Sequence, residues 1–377
     1  MVRLIYHPAY STYDLGADHP FSPLRVSMVV DLLGELGHPL DFVRPEAATL
    51  RDVLTVHGET YVRAVAALAR GEGEEDPAIF GLGTPDNPLF PGMHEAASLI
   101  CGGTLEAVRI ATEGPPAKAL HLGGGLHHAR PSMASGFCIY NDLAIAIRHA
   151  LDRGLRVAYL DLDVHHGDGV QDIFYDTDRV LTISLHESGQ YLFPGTGSLH
   201  EMGSGPGRGR AVNLPLEPFT EDESYLECFD AVVPESLAWF RPDLLLVQAG
   251  ADAHFQDPLA DLMLTTRGYE KLFRRVVALS DSFAGGRLAV TLGGGYSLSA
   301  TPRVWTVLSL VLLGLEIPSA LPEAWRQRWE RRIGAPVPAE LPDASPAFPP
   351  IPRREEIARH NRHTASRLLE AARRLWT

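Results

Sequence analysis

The stretch Arg156-Val-Ala-Tyr-Leu-Asp-Leu-Asp-Val-His-His-Gly-Asp168 passes from an apolar run of strand length straight into a burst of carboxylates and imidazoles. The same order recurs along the chain. Ala119-Leu-His-Leu122 leads into Gly123-Gly-Gly-Leu-His-His128, and Val180-Leu-Thr-Ile-Ser-Leu185 into His186-Glu-Ser-Gly189. Leu244-Leu-Leu-Val-Gln248 leads into Ala249-Gly-Ala-Asp-Ala-His254, and Leu288-Ala-Val-Thr-Leu292 into Gly293-Gly-Gly-Tyr296. Runs that are apolar throughout, rather than alternating, are buried on both faces and belong to a parallel sheet. Helical apolar spacing lies between them, over Asn141–Arg153 and Thr266–Phe283, and Thr220-x-x-Glu223 reads as a capping box opening a helix toward Trp239. Strand and helix in alternation predict a doubly wound α/β fold. Such sheets bind ligands outside the carboxyl ends of their strands, so all five polar bursts should meet at one mouth.

Working outward, the 377 residues are 45% hydrophobic and 21% charged, the composition of a globular protein and not of a disordered chain or a disulfide-stapled miniature. A net charge of −14 argues against coating nucleic acid, which needs a basic footprint. Three cysteines without C-x-x-C spacing point to a reducing cytoplasm. The opening MVRLIYHPAY has no apolar core of a signal peptide. Val304–Ile317 is too short to span a bilayer, which takes about 20 residues, and reads as a buried helix. A soluble cytoplasmic protein with no membrane or nucleic-acid partner is therefore expected; its oligomeric state is open. The chain reads as one domain over 1–377, with a core to about residue 320. After it come a Pro- and Ala-rich surface linker, Gly334–Pro352, and a helix within Arg354–Trp376. Residues 321–377 carry eleven basic and seven acidic side chains, net +4 against −18 for the rest. A basic tail packed on an acidic body accounts for this, and Trp325, Trp329 and Trp376 favour packing; docking of a substrate or partner is the alternative.

On an extended segment, residues i, i+2 and i+4 share a face, which puts Asp161, Asp163 and His165 together. Two carboxylates and an imidazole on a buried face are costly unless a cation offsets their desolvation. Asp163 and His165 are the natural ligands of a divalent metal. A third must come from another strand end, and Asp252 lies just past one. Three protein ligands with positions left open is the pattern of catalytic zinc, and two carboxylates make the set oxygen-rich enough to accept ferrous iron or manganese. A metal-free Asp/His hydrogen-bond network explains a lone Asp-x-His equally well, but not carboxylates converging from three strand ends.

His127 and His128 beside such a metal suit general acid–base work, since imidazole titrates near neutrality. Their remaining ring nitrogens need carboxylates, and Asp161 and Asp168 are left over to serve. The glycines before them match no phosphate-loop pattern and read as room for close backbone approach. Tyr296, on a glycine turn at a strand end, can offer its hydroxyl to a developing oxyanion; alone, a tyrosine is more often a packing residue.

Taken together these segments resemble the histone deacetylase superfamily, in its bacterial acetoin-utilisation branch. The likeness runs from about residue 6 to 305. It includes Asp18-His-Pro-Phe-Ser-Pro-Leu-Arg25, Asp86-Asn-Pro88, and the long motifs beginning at Gly123, Asp161, Thr182, Gly250 and Leu292. The resemblance implies an arginase/deacetylase fold with one mostly parallel eight-stranded sheet and helices on both faces. It implies zinc held by Asp163, His165 and Asp252, catalysis by His127 and His128 with Asp161 and Asp168 behind them, and Tyr296 as carbonyl polariser. Phe137 and Phe193, with Gly136 and Leu259, match the acyl-lysine channel. Asp86 matches a rim acid that holds the substrate backbone, and Arg25 an arginine of the acetate-release cavity. Potassium is implied at Asp161, Asp163, His165, Ser184 and Leu185. The implied reaction is hydrolysis of the acetyl amide of acetyl-lysine in a protein or peptide. Acetylpolyamine hydrolysis is the nearest alternative, and a non-catalytic acyl-lysine binder a more distant one. One departure from the family is visible: three glycines precede Tyr296 where many relatives have four, and Leu292 fills the extra place.

Overall fold

A computed structural model describes residues 2–38, 41–73 and 76–376. The anticipated apolar runs form β3 (Lys118–His121), β4 (Val157–Asp161), β5 (Val180–Glu187), β7 (Leu244–Gln248) and β8 (Leu288–Thr291). Three further strands, β1 (Val2–Ile5), β2 (Phe42–Val43) and β6 (Ala211–Leu216), complete one sheet of order β2-β1-β3-β8-β7-β4-β5-β6. Every pairing is parallel. The three unanticipated strands escape the apolar-run signal for plain reasons. β1 and β2 are short and only partly buried. β6 holds Asn213 and Pro215, and its place at the sheet edge tolerates a residue without an N–H.

Strand side chains sort by parity into two cores. On β7, Leu245 and Val247 join one cluster while Leu244 and Leu246 join the other. The first cluster is completed by helices α1 (Leu24–Glu35), α7 (Asp222–Phe240), α8 (Thr266–Phe283), α9 (Thr301–Leu313), α10 (Glu323–Ile333) and α11 (Arg354–Arg373). The second is covered by α3 (Glu59–Ala69), α4 (Met93–Thr112) and α5 (Asp142–Asp152), with the short α2 (Leu50–Val53) and α6 (Asp168–Ile173) beside them. The sheet is thus covered on both faces, as an uninterrupted apolar strand requires. The four strands β3, β8, β7 and β4 are consecutive in the sheet, so their polar C-terminal turns stand side by side over its middle.

Two expectations are corrected. Thr220 does not cap α7: that helix opens at Asp222 with Glu221 in the cap position and no side-chain cap bond. The Thr220 hydroxyl instead donates to the Glu217 carbonyl (2.6 Å) and accepts from Asn361 Nδ2 (2.7 Å), which ties α11 to the body. Nor is 334–352 merely a surface linker, because Val337, Leu341 and Asp343 are buried within it. The basic tail is explained by packing. Arg354 pairs with Glu221 and Glu223, Arg362 with Glu227, Arg373 with Glu235, and Arg328 with Asp31 and Glu35. Exposed pairs of this kind are screened by water and salt and orient the tail more than they stabilise it. The three tail tryptophans each donate an indole N–H to the body: Trp325 to the Met28 carbonyl, Trp329 to Asp31 and Trp376 to the Gly209 carbonyl.

Helix α4 packs closely because Gly102 and Gly103 lack side chains, Gly102 against the 46–48 loop and Gly103 against the end of β3. A methyl group on Gly102 would overlap the Glu46 carbonyl oxygen, and one on Gly103 the His121 ring. Gly→Ala in an ordinary helix interior stabilises by about 1 kcal/mol. Here Gly102→Ala should destabilise by about 1–3 kcal/mol, as overpacking does. Urea unfolding of the two proteins checks this, and a variant more stable than the parent would refute the close approach.

Candidate active site

Asp163, His165 and Asp252 converge at the C-terminal mouth from the turns after β4 and β7, all three buried. β4 ends at Asp161, so the predicted common face is carried by the following turn and not by regular strand. The turn is shaped by its own hydrogen bonds, with Asp163 N donating to Asp161 Oδ1 (3.2 Å) and His165 N to Asp163 Oδ1 (3.0 Å). His165 Nδ1 lies 3.0 Å from Asp163 Oδ1 and 3.2 Å from Asp252 Oδ2. Each carboxylate is steadied by its other oxygen. Asp163 Oδ2 accepts from Gln248 Nε2 (2.6 Å) and Gly294 N (2.8 Å), and Asp252 Oδ1 accepts from Val164 N (2.9 Å).

Three donor atoms therefore face one point, at spacings suited to ligands that share an ion with bonds of about 2.0–2.2 Å. Among the described residues, no Lys or Arg forms an ion pair with either carboxylate. The two acids titrate against each other. Burial and the charge of Asp163 push Asp252 well above the usual carboxylate range. Burial opposes the charge of Asp163 too, but His127 and His165 outweigh it and hold that group well below. Like charges crowded in this way are what a bound cation relieves, so the residues present fit a divalent metal.

The paired histidines sit alongside. His127 Nδ1 is 2.8 Å from Asp161 Oδ2, which also accepts the Tyr159 hydroxyl (2.6 Å). His128 Nδ1 is 2.7 Å from Asp168 Oδ1, and Arg130 holds the other Asp168 oxygen at 2.7 Å. Burial opposes charge on both rings. For His127 the Asp161 and Asp163 carboxylates prevail and raise it to about 9; for His128 burial and the neighbouring His127 charge lower it to about 3. The backbone under the pair is fixed by α5. Asn141 donates to the carbonyls of His127 and Ala129, while Asp142 accepts from Gly125 N and Leu126 N.

Phe193, 45% exposed, stands edge-on to His128 (5.0 Å between centroids) and His165 (6.4 Å). Phe137 meets Tyr296 (5.7 Å) and His19 (4.5 Å) edge-on. Gly136, in the left-handed region at φ 51°, lies where a side chain would overlap the His128 ring. The Tyr296 ring is 6.5 Å from that of His165; burial, then the Asp252 and Asp163 charges, push its phenol well above the ordinary value, so it keeps a proton to donate. Leu259 is half-buried in the segment after β7, and exposed Asp86 lies beside His19. Neither enters the cluster of His and Asp side chains. Arg25 is buried behind the mouth, bound to the Gly293 and Gly295 carbonyls (3.1 and 2.8 Å), and lines a small internal cavity with Tyr10, Tyr13, Phe21 and Trp305. Ser184 and Leu185 belong to β5, where Ser184 pairs in register with Asp161.

Gln248, Arg130, Tyr159 and Asp257 were not among the site residues read from sequence. Gln248 had a usable signal, as the one polar residue closing an otherwise apolar strand at the mouth. Asp257 accepts from Tyr296 N (2.7 Å) and Leu259 N (3.0 Å), a brace that only tertiary structure brings about.

A family model described as "Histone deacetylase domain" matches residues 19–312. The acetoin utilization protein AcuC of Bacillus subtilis (strain 168) is 42% identical over 374 residues, covering 98% of this chain and 97% of that protein. AcuC of Staphylococcus aureus (strain MRSA252) is 37% identical over 96% of this chain and 94% of its own. Among solved structures, an HDAC homologue from Aquifex aeolicus superposes with a TM-score of 0.85 at 29% identity, covering 97% of this chain and 99% of its own. A structure of an HDAC homologue complexed with SAHA gives a TM-score of 0.87 at the same identity and coverage.

If Gln248 orients Asp163, Gln248→Ala should weaken binding of a divalent metal, probed with zinc, about 10–100-fold, the usual cost of losing a group that orients a metal ligand, while the fold persists. Competition with a chromophoric chelator, with circular dichroism as control, measures this. Unchanged affinity would remove Gln248 from the site.

Proposed function

The chain belongs to the histone deacetylase family, in its acetoin-utilisation branch, and is a deacetylase; from that premise we propose that it hydrolyses the acetyl amide of Nε-acetyl-lysine in peptides or proteins, releasing acetate. The observation behind this is the triangle of Asp163 Oδ1, His165 Nδ1 and Asp252 Oδ2 with two carboxylate-backed imidazoles beside it. Those three atoms are the proposed ligands of zinc, and the oxygen-rich set also suits ferrous iron or manganese. When bound, the ion supplies polarisation of the amide carbonyl and a water of lowered pKa.

The chain's own groups do the rest. Phe137 and Phe193 offer apolar walls to the lysine stem, and Gly136 leaves space between Phe193 and His128. His127 and His128 serve as general base and general acid. Each Nδ1 is tied to a carboxylate, which fixes the tautomer and leaves each Nε2 for proton transfer: one takes the proton of the attacking water, the other delivers one to the departing amine. Tyr296 donates its hydroxyl to the oxyanion. Arg25 and the cavity behind the mouth are proposed to receive acetate. Potassium is proposed at backbone oxygens of Asp161, Asp163, His165, Ser184 and Leu185; the register of Asp161 with Ser184 supports a common corner.

Acetyl-lysine is favoured over an acetylated polyamine by the state of Asp257. Both of its oxygens accept backbone N–H groups, so it does not serve as a free acid to select a cationic amine. Leu259 at the rim is apolar, and exposed Asp86 is left to hold the backbone of a peptide. Cytoplasmic residence is proposed from three buried free cysteines; no helix among the described residues is long and apolar enough to cross a membrane.

Turnover of an acetyl-lysine peptide should exceed that of acetylspermidine, and chelation should abolish it until zinc is restored. The reverse preference would replace the substrate proposed here. Tyr296→Phe should lose about 100-fold or more in kcat, the scale of one oxyanion donor, with zinc affinity intact; near-parent turnover would reject that role.

A further inference from the structure

The turn that supplies Asp252 is gripped from the far end of the chain. Asp343, buried in the 334–352 segment, accepts from His254 Nε2 (2.9 Å) and Thr266 N (2.8 Å) through Oδ2 and from Arg303 Nη1 (2.8 Å) through Oδ1. Its own N–H donates to Thr266 Oγ1 (2.6 Å), and its carbonyl accepts from Arg267 Nε (3.1 Å). His254 Nδ1 accepts from Gln256 N (3.2 Å). The ring's one proton must then sit on Nε2 and point at Asp343. His254 is two residues past Asp252, and His254 N donates back to the Ala251 carbonyl (3.2 Å). With so short a bonded turn between them, a displaced His254 displaces Asp252.

Arg303, 0% exposed, extends the grip to Gln256 Oε1 (3.3 Å) and the Leu341 carbonyl (3.1 Å). Phe255 stacks on His254 and meets Phe348 of the same C-terminal segment. A buried Arg–Asp pair adds little net stability, because desolvation offsets its attraction. Its effect falls on position. Through this turn it bears on Asp252, on Asp257, which braces the backbone of Tyr296, and on Leu259.

We propose that Asp343 is a positioning residue for the metal centre, acting through His254 to hold Asp252 in register with Asp163 and His165. This rests on the reading of those three side chains as metal ligands. Two full-length variants test it. Asp343→Asn removes the charge but keeps an acceptor. The double variant Asp343→Leu with Arg303→Met removes the whole ion pair without stranding a buried charge.

Zinc affinity is read by chelator competition, stability by thermal unfolding, and kcat and KM on an acetyl-lysine peptide. In whichever variant unfolds within a few degrees of the parent, zinc affinity should fall about 10–100-fold and kcat should fall more than KM rises. His254→Leu should weaken zinc binding by a similar factor alone and add nothing in the double background. Zinc affinity within twofold of the parent in such a variant overturns the proposal. A parent that binds no zinc overturns the reading of the metal site itself, and this proposal with it.

Discussion

Two carboxylates held within hydrogen-bond reach of one imidazole, in a buried pocket where no Lys or Arg among the described residues pairs with them, are the constraint around which this molecule is arranged. Such a cluster is repulsive by itself. Its persistence depends on backbone and amide donors that fix the outer oxygens: Val164 N on Asp252, Gly294 N and Gln248 on Asp163. Those donors arrive from three different strand ends, so the sheet must be complete and in register before the inner oxygens can face one another.

The parallel sheet meets that demand through its order. β3, β8, β7 and β4 lie next to each other, and each contributes one kind of chemistry at its carboxyl end: paired histidines, a tyrosine, a carboxylate, and a carboxylate with an imidazole. The covering helices are specialised accordingly. On one face α4 approaches closely through glycines while α5 pins the histidine loop. On the other, α9 and the C-terminal segment grip the turn after β7. Turns anchored at the ends of rigid elements thus carry these groups, and their hydrogen-bonded support is what keeps their positions close.

Much of this was legible in the chain itself. Apolar runs that end in Asp, His or Gly mark five of the eight strands, and the alternation of Asp163 and His165 marks two of the three side chains that the structure brings together as a possible ligand set. Strands β1, β2 and β6 were not legible, because β1 carries Arg3 and is only half-buried, β2 is two residues long, and β6 is interrupted by Asn213 and Pro215. The supporting groups were hidden for another reason. Asp257 acts on Tyr296 across 39 residues of sequence and Asp343 on His254 across 89, and no local spacing encodes such a pairing. Thr220 shows the reverse error, a local capping pattern overridden by a tertiary partner, Asn361.

The pairing of β1 has a bearing on how the protein comes into being. This strand hydrogen-bonds in register to β3, more than a hundred positions later, and β3 in turn borders β8 near residue 290. A nascent polypeptide emerging from the ribosome therefore carries its histidine loop for well over a hundred residues before the neighbouring glycine–tyrosine turn is made. Contacts so distant along the chain make for slow assembly, and the paired histidines must wait for a tyrosine encoded far downstream.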